Sequence, residues 1–182
     1  TGHVEYDSYE VLDVDYIGLE LLDGTNQTEK YDQWSQEIRY TSPGGEDVDY
    51  IVGAYFQTAD VDVTDYVPLG SFLALAGPPV SLFVGTNWDR LYAQSSDMYS
   101  VFGQADINLE GNWSLTLGAR YSNEDKDGSR SLTLNGKGTA LDGSPLLPAL
   151  WAGVLNVGPH SIAASRSENS FDPMVRLRYD LS

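Results

Sequence analysis

The side chains best suited to chemistry are acids, and they gather in three places. Asn123-Glu124-Asp125-Lys126-Asp127-Gly128 sets oxygen ligands ahead of a glycine, as the first half of a calcium-binding EF-hand loop does. The bidentate glutamate that closes such a loop falls at position 134, which is Leu134. A solvated, charged strand end is the simpler reading. Asp60-Val61-Asp62-Val63-Thr64-Asp65 also alternates acids, as an extending strand with an acidic face would. From Glu5 to Asp32, nine acids stand against one base, Lys30. Such a stretch attracts cations, and reads first as a solvated external loop. Nucleophilic chemistry has no foundation, because a hydroxyl needs a positioned base. His3 and His160 each lack a recognisable ligand set or acid–hydroxyl context, and the chain has no cysteine. The residues therefore predict no catalytic group, no metal site and no cofactor, and the chain is expected not to be an enzyme.

The elements that carry these residues are predicted to be strands. The 182 residues hold 27 acids and 10 bases, for a formal charge of −17. That balance disfavours nucleic acid as a partner, since phosphate backbones attract basic patches. Tyr at 12 and Gly at 18 favour strands and turns. No run of 18 apolar residues suggests a membrane helix, but a barrel strand carries only a weak alternating signal and would escape that test.

Five segments alternate with period two. Along Gln33 to Ser42, Trp34, Ile38 and Tyr40, with Gln36 as the exception among them, oppose Ser35, Glu37, Arg39 and Thr41. Along Asp49 to Thr58, Tyr50, Val52, Ala54 and Phe56 oppose Ile51, Gly53, Tyr55 and Gln57. Along Met98 to Asn108, Tyr99, Val101, Ala105 and Ile107 oppose Ser100, Gln104 and Asp106, with Phe102 on the polar face. Trp113 to Asn123 and Pro173 to Leu181 repeat the pattern, placing Arg120, Arg176 and Arg178 on the wet side. A short sixth strand is expected to end near Tyr6. No charge interrupts the apolar face of any of the five.

Short and long connections alternate along the chain. Pro43 to Val48 and Leu109 to Asn112 are short turns, whereas Thr58 to Asp97, Asn123 to Phe171 and Tyr9 to Asp32 read as long loops. Compact soluble domains rarely carry such loops, while outer-membrane barrels pair short periplasmic turns with longer extracellular loops. Trp34 and Trp113 sit at strand ends, where barrels place aromatic girdles. Two uncharged loop stretches, Val67 to Asn87 and Gly143 to Ser165, are each predicted to form a short helix, with Pro148 in a first turn. They read as a loop subdomain packed on itself, or as a cover over a barrel mouth that meets substrate through Phe72, Trp88 and Trp151.

Three runs carry a family resemblance. SQEIRYTSPGGEDVDYIVGAYFQ (35–57), YSVFGQADINLEGNWSLTLGARYSNEDKD (99–127) and ENSFDPMVRLRYDLS (168–182) resemble successive hairpins of TonB-dependent receptors. The matching features are a Ser-Pro-Gly turn, a Phe-Gly-Gln core with a Gly-x-Arg-Tyr return, and a Phe-x-Pro start with a Tyr-x-Leu-Ser end. The resemblance implies an all-β, antiparallel transmembrane β-barrel segment of five to six strands with long extracellular loops, open as a fragment. It assigns residues 1–182 to an internal part of a receptor barrel in the bacterial outer membrane, without the plug domain. The function implied is TonB-driven import of a scarce nutrient, such as an iron–siderophore complex, vitamin B12 or an oligosaccharide. The implied partners are TonB through the plug, outer-membrane lipid, lipopolysaccharide (which divalent ions would bridge to the acids of 5–32) and the nutrient itself.

On that reading Glu37, Arg39, Asp106, Arg120, Arg176 and Arg178 line a wet, partly paired lumen that contacts the plug or ligand. Two alternatives remain. A soluble or surface-exposed β-sandwich binding module, lectin-like and calcium-dependent, would tolerate charge on its outward face. A surface hydrolase would need an acid or histidine constellation.

Overall fold

The alternation expected from the sequence is realised as one continuous antiparallel sheet. The computed structural model describes residues 1–12, 18–19 and 21–180. Its strands are β1 (Gly2–Leu12), β2 (Thr25–Thr41), β3 (Val48–Pro68), β4 (Asn87–Leu109), β5 (Trp113–Asn135) and β6 (His160–Tyr179), and they pair in chain order. The two expected hairpins form, and β6 pairs with β5 as predicted. The two short turns lie side by side, since Asn108 N–H donates to the Asp47 carbonyl at 2.9 Å. In the second turn Gly111 and Asn112 take φ of 74° and 64°, the left-handed region that glycine and asparagine tolerate best.

The expected loop boundaries are corrected. Much of Thr58 to Asp97 is strand, because β3 continues to Pro68 and β4 already begins at Asn87. Asn123 to Phe171 is likewise mostly strand, leaving only 136–159 between β5 and β6. Tyr9–Leu12 belongs to β1 and Thr25–Asp32 to β2, so only the middle of the acidic stretch connects strands. The EF-hand-like run lies inside β5 and Asp60–Asp65 inside β3, so both are extended backbone and not metal loops. Leu181, the expected end of the last strand, lies outside the described residues.

Directly opposed residues share a face of the sheet, so the register sorts every side chain. Ile38, Val52, Ala54, Val101, Ala105, Leu115, Leu117, Val175 and Leu177 fall on one face. Aromatic residues bound this band. Tyr40, Tyr50, Trp113 and Tyr179 stand at the turn end, with Tyr40–Tyr50 centroids 6.0 Å and Trp113–Tyr179 centroids 4.8 Å apart. Trp34, Phe56 and Tyr99 stand at the other limit, in contact at 5.7 and 5.0 Å. Past that limit the same face turns polar on every strand, through Asn123, Asp97, Asp125, Asp60, Asp127 and Asp32. A barrel strand crosses a bilayer in about 9–11 residues. β4 and β5 have 23 each, so their upper halves extend well beyond an apolar band of bilayer height.

The enclosed hydrophobic cluster among the described residues sits at the upper end, in the connections, while Ala59, Val67 and Leu132 are buried on β3 and β5. Leu69, Phe83, Leu141, Leu147 and Trp151 form one cluster, with Leu22, Trp88 and Leu134 packed against it. Its helical pieces are short: 3-10 turns at Ser71–Ala76 and Val80–Phe83, an α turn α1 at Leu147–Leu150 with Pro148 at its start, and a π turn at Trp151–Leu155. Trp151 meets Phe83 and Trp88 edge-on, at centroid distances of 5.8 and 5.4 Å. Thr86 is fully buried and donates to the Phe83 carbonyl at 2.7 Å. The two uncharged stretches thus pack on one another and pin both long connections to the top of β4 and β5.

Candidate functional site

The polar face opposite the apolar band carries the candidate residues. Glu37, Arg39, Asp106, Arg120, Arg176 and Arg178 all lie on it by register. At one height the row across the sheet reads Arg39, Gly53, Phe102, Arg120, Asp172. The next row toward the turns reads Thr41, Ile51, Gln104, Gly118, Met174. A hollow of about 390 Å³ opens where these rows meet, lined by Arg39, Ile51, Phe102, Gly118, Arg120 and Met174 among others. Its floor is apolar, and the charged groups around it are the guanidinium groups of Arg39 and Arg120 and the carboxylate of Asp172.

The structure brings some of the candidates together. Arg39 forms an ion pair with Glu37 two residues away on β2, as the shared wet face suggests. Asp106 accepts hydrogen bonds from Thr116 Oγ1 and from Gln104 Nε2, the latter at 2.9 Å. Arg176 lies directly across from Thr116, one strand beyond Asp106. Arg178 pairs with Asp180 at 2.6 Å. The Arg39–Glu37 and Arg178–Asp180 ion pairs are exposed, so each contributes about 1 kcal/mol or less to stability.

Arg120 differs from Arg39 and Arg178. Its Nε donates to Ser122 Oγ at 3.1 Å and an Nη to Ser100 Oγ at 2.9 Å. The two hydroxyls are themselves 3.0 Å apart, and Ser100 is only 3% exposed. Asp172 lies directly opposite Arg120 but accepts from Ser170 at 3.2 Å. Among the described residues Arg120 forms no ion pair. Sequence reasoning missed Ser100, Ser122, Asp172 and Asp180. Counting back from the Glu110–Asn112 turn would have placed Ser100 beside Ser122, because a hairpin turn sets its register.

The loop candidates occupy different environments. Phe72 is partly exposed on the first 3-10 turn, Trp88 is half-buried at the start of β4, and Trp151 is fully buried against Phe83 and Trp88. A separate group lies on β1 and β2, where ligand atoms of His3, Glu5 and Asp32 come within 4.8 Å of one another. All three are exposed, and His3 already hydrogen-bonds Asp32 at 3.5 Å. His3 looked isolated in sequence because Asp32 reaches it only across the strand pair.

Comparison with known proteins follows the same lines. A family model described as TonB dependent receptor-like, beta-barrel, matches residues 3–182. No curated protein sequence matches the chain. Among solved structures, the crystal structure of the ferric yersiniabactin uptake receptor FyuA from Yersinia pestis is similar in fold. It aligns over 89% of this chain with a TM-score of 0.64 at 12% identity. The chain spans 20% of the length of that receptor.

Proposed function

Because the chain belongs to the TonB-dependent receptor β-barrel family, we propose that it is part of the wall and extracellular loops of an outer-membrane active-transport receptor. The observation that carries this reading is the apolar band, which begins and ends at matching heights across the sheet while the opposite face stays polar. Such a band meets lipid, and the polar face lines an aqueous lumen. The short turns are periplasmic, and the Phe83–Trp151 cluster is extracellular. The nutrient is of the kind such receptors import: a ferric siderophore, vitamin B12 or an oligosaccharide. The similar solved structure is of a receptor for ferric yersiniabactin uptake, which favours the first. TonB acts through a plug domain, and lipid and lipopolysaccharide surround the band and the acid-rich rows above it. No reaction is chemically catalysed.

The lumenal charges hold the plug or guide a polar ligand. Phe72 and Trp88 stand where the covered mouth meets substrate, and the buried Trp151 packs against Trp88 from within. In the full-length receptor, Arg120→Ala is expected to lower uptake of labelled substrate while leaving heat-modifiability on gels intact. A barrel that falls apart while transport per folded molecule stays normal would reverse the assignment. A β-sandwich module is less well supported, since the described residues form one sheet with no second sheet packed on it.

A further inference from the structure

We infer that His3, Glu5 and Asp32 form a binding site for one divalent transition-metal ion of the zinc type, on the outward face of the sheet just above the aromatic limit of the apolar band. The site goes beyond the transport reading and rests on the barrel reading only for its height.

Three observations carry it. The first is the donor set. His3 and Glu5 are two residues apart on β1, so their side chains leave the same face, and Asp32 on β2 lies directly across from Glu5. Ligand atoms of the three lie within 4.8 Å of one another. One imidazole nitrogen and two carboxylates make a set that zinc and its neighbours accept, whereas magnesium and calcium take oxygen. Three protein ligands leave the outward side of the ion open to water, as in zinc sites that keep a free position.

The second is spacing. His3 Nε2 and Asp32 Oδ2 stand 3.5 Å apart. An N–H···O hydrogen bond is ordinarily about 2.7–3.2 Å long. Two ligands held about 2.0–2.2 Å from a tetrahedral zinc are about 3.3–3.6 Å from one another. The pair is set wide for a direct bond and at the right width for a shared ion. Glu5 completes the set by rotation of its exposed side chain.

The third is charge. The row through these residues reads Glu5, Asp32, Asp60, Ser95, Asp127, Ser165 across the six strands, with no base in it. Glu5 opposes Asp32 and Asp32 opposes Asp60, and like charges directly opposite one another destabilise a sheet. In the next row up, Lys30 separates Asp7 from Asp62. An ion held by Asp32 does for its row what Lys30 does for that one. His3 stands across from Trp34, so the ion ties β1 to β2 where the two strands leave the apolar band.

The test uses the full-length receptor, purified in detergent and stripped of metal with a chelator. Dialysis against zinc in a large excess of magnesium, followed by elemental analysis, counts the zinc retained. His3→Ala and Asp32→Asn are each expected to weaken retention about a hundredfold, the upper end of the cost of losing even a group that only supports a ligand, and so to hold one zinc fewer than the parent. Asp127→Asn, in the same row but three strands away, should retain the parent amount. Cobalt in place of zinc should give visible absorption bands that His3→Ala removes. Equal zinc in the parent and His3→Ala, displacement of the zinc by magnesium, or an equal loss in Asp127→Asn overturns the inference and leaves a His3–Asp32 pair on a diffusely acidic face. Should His3→Ala fail to fold, as judged by heat-modifiability on gels, His3→Gln serves. Outer-membrane fractionation of the same variants reports the barrel reading separately. A receptor that holds the zinc but never reaches the outer membrane refutes that reading and keeps the site, whereas an assembled barrel indifferent to zinc refutes only the site.

Discussion

Gly53 on β3 and Phe102 on β4 face one another directly, and the Phe102 ring lies over the bare backbone at position 53. A Cβ there would fall 2.4 Å from Phe102 Cζ and 2.9 Å from the Ile38 carbonyl oxygen. The ring can swing away, but the carbonyl belongs to the strand ladder. Gly53→Ala is therefore expected to destabilise the barrel by about 1–3 kcal/mol, as overpacking does. Adding Phe102→Leu should return only part of that loss. The temperature at which the folded gel band converts to the unfolded one measures both. Full recovery in the double variant would show that the carbonyl contact is immaterial.

Sidedness gives a paired prediction. Leu117 sits on the apolar band and Arg120 on the polar face, three residues along the same strand. Arginine on a lipid face near the midplane costs roughly 2–4 kcal/mol, while a lumen substitution leaves assembly alone. Leu117→Arg should reduce the amount of receptor recovered in outer-membrane fractions, and Arg120→Leu should not. Equal recovery of the two would contradict the assignment of faces.

The lower half of each strand was legible because one face is dry. Trp113, Leu115, Leu117, Ala119 and Tyr121 alternate with Ser114, Thr116, Gly118, Arg120 and Ser122, and that contrast marks a strand in any reading. Above Asn123 neither face is dry. Glu124, Lys126 and Arg130 alternate with Asp125, Asp127 and Ser129, so there is no contrast for periodicity to detect, and the stretch looked like loop. Pairing with β4 and β6 holds it, aided by surface pairs such as Lys126–Glu124 at 2.9 Å. The candidate site divided in the same way. Glu37 and Arg39 could be paired from their spacing alone, but the serines around Arg120 come from two strands and need the register.

The loop cluster should come apart independently of the wall. Trp151 is fully buried, touches Phe83 and Trp88, and joins the connection after β5 to the one after β3. Trp151→Ala removes a large buried side chain at a cost of about 3–5 kcal/mol. External protease should then cut within 69–86 and 136–159 of intact cells, while the gel band of the folded barrel persists. Loss of the barrel band together with the loops would show that the cluster supports the wall.

The turn between β4 and β5 offers a local test of backbone conformation. Asn112 holds a left-handed φ of 64°. A β-branched residue there pays roughly 1–2 kcal/mol for the conformation. Asn112→Ile should lower the heat-conversion midpoint and Asn112→Gly should leave it near the parent value. A midpoint unmoved by isoleucine would mean the turn adopts another geometry in the assembled receptor.

On the proposed reading, the upper halves of the strands stand above the membrane. From Asn123 to Asn135, β5 climbs about 40 Å along its own axis, and at a barrel tilt near 45° that is on the order of 30 Å of vertical height. On the proposed reading, a rigid palisade about as tall as the hydrocarbon layer stands above it, with the Trp151 cluster as its coping. On that reading, an antibody approaching from outside would first meet the packed Trp151 cluster and then ordered, acid-rich sheet. Epitopes on that surface should be conformational, lost on boiling together with the folded band.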